Sequence, residues 1–319
     1  MDDTYFERRK SCPACGSAKF SIIYQKDYND PLLRDYLTDF YCSNGMVEYQ
    51  YLNAGVYILC ECDACGLIFQ RDIPNGLFMA RIYEHWIDPK KVFNLRRQQD
   101  SLAIYAKHAQ EIMQIISYFR RAPTTLSFFD FGMGWGQWAL MAKAFGCDSY
   151  GSELSPSRIE HAKSKGIKVV TWEEMPESRF DFINTEQVFE HIPEPLQTLR
   201  HLRRALKANG ICKISVPTAS YLRRRLEKMK WKAAKGSKDS LNLVAPLEHI
   251  NCFRRSSLLK MAEAADMQEV LIPMKVQYRY MPDWSTPKKI ARNLGLPIYR
   301  NLLKRPNYIF LRNIQEDVI

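Results

Sequence analysis

The feature that most constrains the fold is a glycine-rich turn in the middle of the chain. Residues 126–129, just before it, are brief and aromatic, as a buried strand would be. The glycine turn, residues 130–136, has glycine at its third, fifth and seventh positions, which lets the backbone bend sharply beside a ligand. A helix is predicted at 138–145 and a second strand at 147–151, which leads to Glu153. This order predicts the first half of a nucleotide-binding α/β unit.

The spacing of the glycines indicates which nucleotide is bound. A dinucleotide fingerprint has glycine at its first, third and sixth positions, but the sixth position counted from Gly132 is Gln137. The glycines stand instead at the first, third and fifth positions, and Asp130 precedes them by two residues. This pattern resembles the class I S-adenosylmethionine-dependent methyltransferases, in which an acid closes the second strand. The resemblance implies that the methionine end of the cofactor is held by Asp130, Gly132, Gly134 and Gly136, and its ribose by Glu153.

The alternation of strands and helices continues after Glu153. Three further strands are predicted at 167–171, from 179 onward and at 210–216, with helices at 156–165 and 196–207 between them. Segments 268–280 and 306–312 are predicted to pair antiparallel at the sheet edge, with a basic helical stretch, 286–304, between them. We therefore expect an α/β fold with a Rossmann-like, doubly wound methyltransferase sheet and an antiparallel C-terminal edge strand.

Two further segments are assigned to cofactor binding. In the family that the chain resembles, residues after the third strand flank the adenine, which implies this role for Trp172 and Glu173; packing is the alternative for Trp172. Thr185, Glu186 and Gln187 follow the fourth strand, at the sheet edge where ligands bind in open α/β sheets.

Two Glu-His pairs provide the candidates for catalysis. His191, in the sequence Glu190-His191-Ile192-Pro193, resembles a motif that the family often carries after the fourth strand, and it is a candidate base. The alternative is that Glu190 and His191 only fix the loop by hydrogen bonds. Glu248 and His249 resemble a pair that lines the substrate site in sugar methyltransferases with a zinc module, which makes His249 the second candidate base.

Four of the nine cysteines form two C-x-x-C-G knuckles, 12–16 and 62–66. Each knuckle can direct two thiolates at one ion, so a structural zinc site is predicted at Cys12, Cys15, Cys62 and Cys65. A redox role for the first knuckle is the alternative, which the second knuckle argues against. Between the knuckles we expect a small sheet that includes 19–24 and 56–60, and an irregular excursion through 29–45.

The order of these modules defines the expected domains. A zinc knuckle pair, helices at 77–86 and 94–120 and then the nucleotide fold resemble methyltransferases with an N-terminal zinc module, found among enzymes that methylate sugars. The boundaries are residues 1–75 for the zinc-binding module, 76–124 for a helical connector and 125–319 for the methyltransferase domain.

The most unusual composition lies in an insertion at residues 217–250. Within it, 221–238 holds eight basic residues against one acid, and Leu222, Leu226 and Met229 fall at helical spacing. A basic amphipathic helix is predicted, standing over the cofactor cleft as a cationic lid, or else serving only as a solvated charged face. The formal net charge of +11 also favours an anionic partner.

No signal peptide or membrane-length apolar run is visible in the sequence, and 46% of the residues are hydrophobic, so we expect a cytoplasmic protein with a substantial core. The expected activity is methyl transfer from S-adenosylmethionine to a hydroxyl of a sugar, glycan or nucleotide-linked sugar, as in polysaccharide biosynthesis. The expected acceptor is an anionic small molecule or glycan, and peripheral contact with a membrane surface is a further expectation. The alternatives are an RNA methyltransferase and a scaffold protein with a vestigial cofactor site.

Overall fold

The computed structural model describes residues 5–42, 47–53, 55–87, 94, 101–177, 179–217, 219, 221–280, 286–301 and 308–314. Parts of four predicted segments, 43–45, 95–100, 302–304 and 306–307, lie outside the described residues. The chain divides into two compact units. The N-terminal unit comprises Met1–Asp100, Glu190–Glu194 and Pro217–Ser257, and the sheet unit comprises Ser101–Phe189, Pro195–Val216 and Leu258–Ile319.

The described residues form strands and helices with the following bounds. The strands are β1 (Phe6–Arg8), β2 (Phe20–Asp27), β3 (Val56–Cys62), β4 (Ile68–Gln70), β5 (Asp72–Pro74), β6 (Ser127–Phe131), β7 (Asp148–Ser152), β8 (Lys168–Val169), β9 (Phe180–Glu186), β10 (Leu206–Ser215), β11 (Asn251–Cys252), β12 (Met267–Val270) and β13 (Tyr308–Asn313). The helices are α1 (Pro31–Cys42), α2 (Gly76–Arg81), α3 (Leu102–Phe119), α4 (Gln137–Ala144), α5 (Pro156–Ser164), α6 (Pro195–Arg204), α7 (Leu222–Lys228), α8 (Arg255–Ala264), α9 (Met274–Arg279) and α10 (Pro287–Asn301).

The sheet unit contains a seven-stranded sheet in the order β12-β13-β10-β9-β6-β7-β8. The neighbouring strands from β10 to β8 are parallel, whereas β13 pairs antiparallel with both β10 and β12. Strands β6 and β9 lie side by side although α4, β7, α5 and β8 come between them in the chain. This is the doubly wound arrangement, which places a ligand crevice at the carboxyl ends of these strands. The predicted α/β fold class is confirmed.

Helices cover this sheet through an apolar core. Ile112 and Ile115 of α3 and Trp138 of α4 pack with Phe128 and Phe182 of the sheet. The predicted apolar face of α3 is buried only in its second half, since Leu102 at its start is 85% exposed. No helix within the described ranges is long and apolar enough to cross a membrane.

The strand predicted over 268–280 is shorter than expected. It ends at Val270, and residues 274–279 form α9. Ile272, just before this helix, and Val276 within it are both buried in the core of the sheet unit.

The N-terminal unit contains a four-stranded antiparallel sheet in the order β11-β4-β3-β2 and a two-stranded ribbon of β1 and β5. Strand β11 belongs to a segment almost two hundred residues after β4, and it pairs Asn251 with Phe69 and Cys252 with Ile68. The core of this unit is rich in buried aromatic side chains, among them Tyr28, Tyr41, Tyr57, Trp86 and Trp231.

The prediction of an irregular excursion at 29–45 is wrong for most of that segment, because Pro31–Cys42 forms α1. A carboxylate oxygen of Asp30 accepts a hydrogen bond from the Leu32 N–H at 3.0 Å, and Pro31 occupies the first helical position. Leu33, Leu37 and Tyr41 recur every four residues and are buried, so the helix is held by one apolar face.

The basic insertion also differs from the prediction. Its helix, α7, stops at Lys228, because Met229 adopts a left-handed conformation with φ of 51° and Trp231 is buried in the core of the N-terminal unit. Leu222 and Leu226 are buried on one helix face, as their spacing suggested. The contacts group this insertion with the N-terminal unit, whereas the sequence boundaries assigned residues 217–250 to the methyltransferase domain.

Candidate functional site

The glycine turn follows β6 in the sheet unit and has a backbone that favours glycine. Gly132, Gly134 and Gly136 have φ values of 68°, 56° and 75°. A Cβ atom on Gly132 would lie 2.8 Å from Cγ2 of Val188, and one on Gly136 would lie 2.7 Å from Cδ1 of Ile167. The turn therefore has little room for side chains at Gly132 and Gly136.

Glu153 lies against this turn. Its Oε2 accepts a hydrogen bond from the Gly134 N–H at 2.9 Å, and its Oε1 accepts bonds from the N–H groups of Leu154 and Ser155 at 2.9 and 3.1 Å. Arg158 adds an ion-pair contact at 3.5 Å. The carboxylate is thus fixed beside the glycines by three backbone N–H groups.

Asp130 is buried beneath the turn and pairs with a residue of the neighbouring strand. The Asn184 side chain donates a hydrogen bond to Oδ1 of Asp130 at 2.8 Å. Burial raises the pKa of Asp130 to about 7, against the opposing effects of Asn184 and of the Lys213 charge. Asp130 therefore acts from below the turn, tying β6 to β9 through its bond with Asn184.

A buried ion triad supports the end of β9. The Lys213 ammonium, on β10, lies 2.6 Å from a carboxylate oxygen of Glu111 and 2.6 Å from one of Glu186. The Lys213 side chain is only 3% exposed. Burial alone would raise the pKa of Glu186, but the charges of Lys213 and Lys107 lower it to about 2. Glu186 is therefore a fixed anion at the carboxyl end of the sheet.

The two residues beside Glu186 are also constrained. The Thr185 hydroxyl is buried and donates to the Lys213 carbonyl at 3.0 Å, so it serves the sheet. Gln187 has a left-handed backbone with φ of 57°, and its N–H bonds to the Ser215 carbonyl at 2.9 Å. A non-glycine residue held in this conformation at a strand end is typical of functional sites.

The predicted adenine contacts lie on an exposed stretch of the sheet unit. Trp172 is 43% exposed and stacks flat on His201, with ring centroids 3.8 Å apart. His201 Nε2 also bonds to the Trp172 carbonyl oxygen at 2.7 Å. Glu173 is exposed. One face of the indole is thus used in packing, in line with the alternative stated for Trp172.

The N-terminal unit brings both Glu-His pairs together. The rings of His191 and His249 have centroids 4.8 Å apart at an angle of 73°. His191 Nδ1 lies 3.0 Å from the Glu248 carbonyl oxygen, and His191 Nε2 lies 4.0 Å from Oε1 of Glu190. A carbonyl oxygen only accepts, so Nδ1 carries the proton and Nε2 carries the lone pair. We call Glu190, His191 and His249 the histidine cluster.

The electrostatics of this region follow from burial. Burial lowers the pKa of His191 to about 4 and that of His249 to about 3, and the charge of Lys235 acts in the same direction on both. Burial also raises the pKa of Glu248. Both imidazoles are therefore neutral at pH 7 and have lone pairs to offer.

The four cysteines of the knuckles converge at one point of the N-terminal unit. Sγ of Cys12 lies 3.6 Å from that of Cys65, and Sγ of Cys15 lies 3.6 Å from that of Cys62. Four thiolates around zinc at about 2.3 Å would be roughly 3.8 Å apart. Gly16 and Gly66 have φ of 75° and 74°, which lets each knuckle close on itself. The arrangement fits a tetrahedral zinc ion.

Sequence reasoning missed three residues that shape these sites and assigned a fourth only to the loop. Lys213 and Glu111 were not singled out, although a lysine inside the apolar run of β10 indicates a buried ion pair. Asn184, the partner of Asp130, stands within the predicted fourth strand but gave no signal of its own. Glu190 was considered only as a loop residue.

Comparison with known proteins agrees with this fold. The family model of a methyltransferase domain matches residues 105–271, just over half of the chain. No curated protein matches the chain at a significant level.

Several solved structures are similar. PKMT2 from Rickettsia typhi, in complex with AdoHcy, is 16% identical with a TM-score of 0.42, over 65% of this chain and 52% of that one, so the chain spans about half the length of PKMT2. The plantazolicin methyltransferase BpumL, in complex with SAH, is 15% identical with a TM-score of 0.46, over 74% and 94%. A possible histamine N-methyltransferase from Thermotoga maritima is 21% identical with a TM-score of 0.38, over 57% and 80%.

Proposed function

The chain belongs to the methyltransferase domain family, and on that premise we propose that it transfers a methyl group from S-adenosylmethionine to a hydroxyl of a sugar, a glycan or a nucleotide-linked sugar. The observation that carries the proposal is the 2.9 Å hydrogen bond between the Gly134 N–H and the Glu153 carboxylate. It supports a joint role of the glycine turn and Glu153 in holding the donor, with Asp130 beneath them. The exposed Trp172 and Glu173 and the strand end at 185–187 are the further proposed contacts.

The chemistry required of the chain is modest. The sulfonium of the donor supplies an already activated methyl group, so the protein has to orient the acceptor and assist loss of the hydroxyl proton. We assign this assistance to His191, His249 and Glu248. The imidazoles of His191 and His249 are neutral and can accept a proton. His191 is oriented by its hydrogen bond to the Glu248 carbonyl. Only three residues separate Glu186, at the end of β9, from Glu190.

The acceptor class is supported by the basic insertion. Four of its cationic side chains are engaged by acids of the N-terminal unit: Arg223 by Glu61, Lys228 and Lys230 by Asp239, and Lys232 by Asp35. This pairing reduces the positive charge left for a long polyanion such as RNA, and so favours a compact anionic acceptor such as a nucleotide-linked sugar. RNA and an anionic membrane surface are the competing partners, and binding that weakens steeply with salt would favour them.

We also propose that Cys12, Cys15, Cys62 and Cys65 hold one structural zinc ion. The 3.6 Å Sγ–Sγ distances and the left-handed glycines support a closed site with no position left for a substrate. The ion would stabilise the end of the sheet where β3 meets the knuckles.

The function is tested first by titrating the purified chain with S-adenosylmethionine and, separately, with NADH in a calorimeter. Donor binding in the micromolar range with no NADH binding is expected. The protein is then assayed for methyl transfer to nucleotide sugars and glycans. Absence of donor binding would overturn the proposal and favour a scaffold protein.

Replacing Glu153 by alanine is expected to weaken donor binding by roughly 10- to 100-fold, because charge-assisted hydrogen bonds are worth about 1.5–3 kcal/mol each. The dissociation constant is measured by calorimetry. Glu160→Ala, an exposed acid on α5, is the matched control and should bind as the unmodified chain does. Equal affinity of the Glu153 and Glu160 variants would contradict the ribose assignment.

Replacing His249 by alanine is expected to lower kcat by about 10²–10⁴-fold and to leave donor affinity unchanged, because the lost group assists proton removal. Single-turnover rates and calorimetry on the same preparation separate the two quantities. His85→Ala, an exposed histidine of the N-terminal unit, is the control. Full turnover in both His249→Ala and His191→Ala would leave the activating group elsewhere.

A further inference from the structure

The histidine cluster has the composition and spacing of a metal site. One ligand atom each from Glu190, His191 and His249 all lie within 4.8 Å of one another. Two ligands bound to one ion at about 2.1 Å lie roughly 3.0–4.2 Å apart, depending on the angle at the ion. The 4.0 Å between Glu190 Oε1 and His191 Nε2 already falls in this range. The three ligand atoms would therefore have to move by only about an ångström or less to bind one ion together.

The orientation of His191 is that of a metal ligand. Its Nδ1–H donates to the Glu248 carbonyl at 3.0 Å, which fixes the tautomer and turns the Nε2 lone pair toward Glu190. Histidines that bind metals nearly always donate their second ring N–H to a carbonyl or carboxylate in this way. His249 contributes a second observation, since its Nδ1 is buried and makes no hydrogen bond within the described part of the chain.

The ligands stand on a rigid scaffold. Arg9 is buried, and it donates to the Pro193 carbonyl at 2.7 Å and to the Asn251 side chain at 2.8 Å. Asn251 donates in turn to the Ile192 carbonyl at 2.7 Å. The loop that carries Glu190 and His191 is thus tied to β11, which follows His249 by two residues. Precise ligand sites depend on such support.

Glu190 supplies the charge that a cation needs. Its side chain is only 2% exposed, and a carboxylate oxygen is a ligand that divalent cations accept together with imidazole nitrogens. From these observations we propose that Glu190, His191 and His249 bind a divalent cation. Two imidazoles and one carboxylate suit Mn²⁺, Fe²⁺, Co²⁺ or Zn²⁺ and leave coordination positions open. The thiolates of the knuckles form a softer, closed site of a different kind.

The ion would give the proposed function a more specific mechanism. A hydroxyl bound at an open position would lose its proton to solvent more readily, because the ion stabilises the oxyanion, and the two imidazoles would then act as ligands rather than as bases. This role rests on the proposed methyl transfer, whereas binding of the ion does not. The two are therefore tested separately, with the metal measured in the absence of donor and acceptor.

The test uses the full chain with its cysteine site loaded with zinc. Mn²⁺ is added, and the free ion is followed by its electron paramagnetic resonance signal. One Mn²⁺ per chain is expected to bind to the unmodified protein and to His85→Ala. Glu190→Gln, which keeps the shape of the side chain, and His249→Asn are expected to bind at least tenfold more weakly while retaining the zinc of the cysteine site.

Folding and function are separated by two further measurements on the same samples. Circular dichroism and donor calorimetry should be unchanged in Glu190→Gln, so that weaker Mn²⁺ binding cannot be attributed to misfolding. If neither Mn²⁺ nor Zn²⁺ binds beyond the cysteine site, or if all variants bind Mn²⁺ equally, the metal proposal is wrong. Donor binding would then still stand, and the imidazoles would act as bases without a metal.

Discussion

A serine at position 62 is expected to release one zinc ion per chain and to unfold much of the N-terminal unit. A hydroxyl is a poor zinc ligand, and structural zinc contributes on the order of 10 kcal/mol to folding in small zinc-binding domains. Typical domains are stable by only about 5–15 kcal/mol, so the loss is a large fraction of the total. Cys62 is the last residue of β3, and its Sγ lies 3.6 Å from that of Cys15 in the other knuckle. Loss of the ion should therefore also disrupt the end of this strand.

The same strand provides a matched control. Cys60 is buried two residues earlier on β3, outside the four-cysteine set. Cys60→Ser introduces a similar buried hydroxyl, so it should cost about 1–3 kcal/mol and leave the zinc content unchanged. Metal content by mass spectrometry and thermal unfolding distinguish the two variants. A Cys62→Ser protein that keeps the zinc of the unmodified chain would show that the thiolates do not bind it.

The second large effect is expected from Lys213→Met, which removes the cation between Glu111 and Glu186. Breaking a buried ion pair typically costs about 3–5 kcal/mol, because the remaining charges are left buried without a partner. Here two partly exposed carboxylates would remain, each formerly 2.6 Å from the ammonium, and Glu186 would keep its contact with Lys107 at 3.4 Å, so the cost should lie near the lower end of this range. Lys260→Met removes an exposed pair with Glu263 and should cost less than about 1 kcal/mol. Chemical denaturation of both variants measures the difference.

The pH dependence of stability should change in the Lys213 variant. In the unmodified chain the pKa of Glu186 is lowered to about 2, so its stabilising contribution is present above about pH 4.5 and is lost as the pH falls toward 2. Without the ammonium the largest charge that lowers the pKa of Glu186 is gone, so the contribution of Glu186 to stability should depend less on pH in the acidic range than it does in the unmodified chain. Parallel pH profiles for the two proteins would argue against an energetic role of the triad.

The sequence was most informative where chemistry requires a particular residue type. A turn with φ near 70° at Gly132 and Gly136 requires glycine, and four converging thiolates require cysteine, so both features could be read directly. The parallel sheet followed from alternating apolar runs and helical patterns. The individual parts of these signals, the glycine turn, each knuckle and each strand or helix, are short stretches of sequence.

The predictions failed where distant packing decided the structure. Helix α1 lies in a segment that was predicted to be irregular, although Leu33, Leu37 and Tyr41 recur at helical spacing. The helical spacing of Leu222, Leu226 and Met229 suggested a helix through 221–238, whereas the helix ends at Lys228, before the buried Trp231. The histidine cluster joins residues that are nearly sixty positions apart in the chain. No local sequence pattern indicates that they lie close together in space.

Strand β11 is synthesised long after β4, the strand with which it pairs, and this delay matters while the chain is being made on the ribosome. Both knuckles have been made by residue 66, but the strand that completes their sheet comes at 251–252. At roughly 5–20 residues per second, on the order of ten seconds or more separate the two events. During that interval β4 has an open edge, which is a hazard for aggregation. Early capture of an ion by the cysteines would restrain the nascent N-terminus until the chain returns to close the sheet.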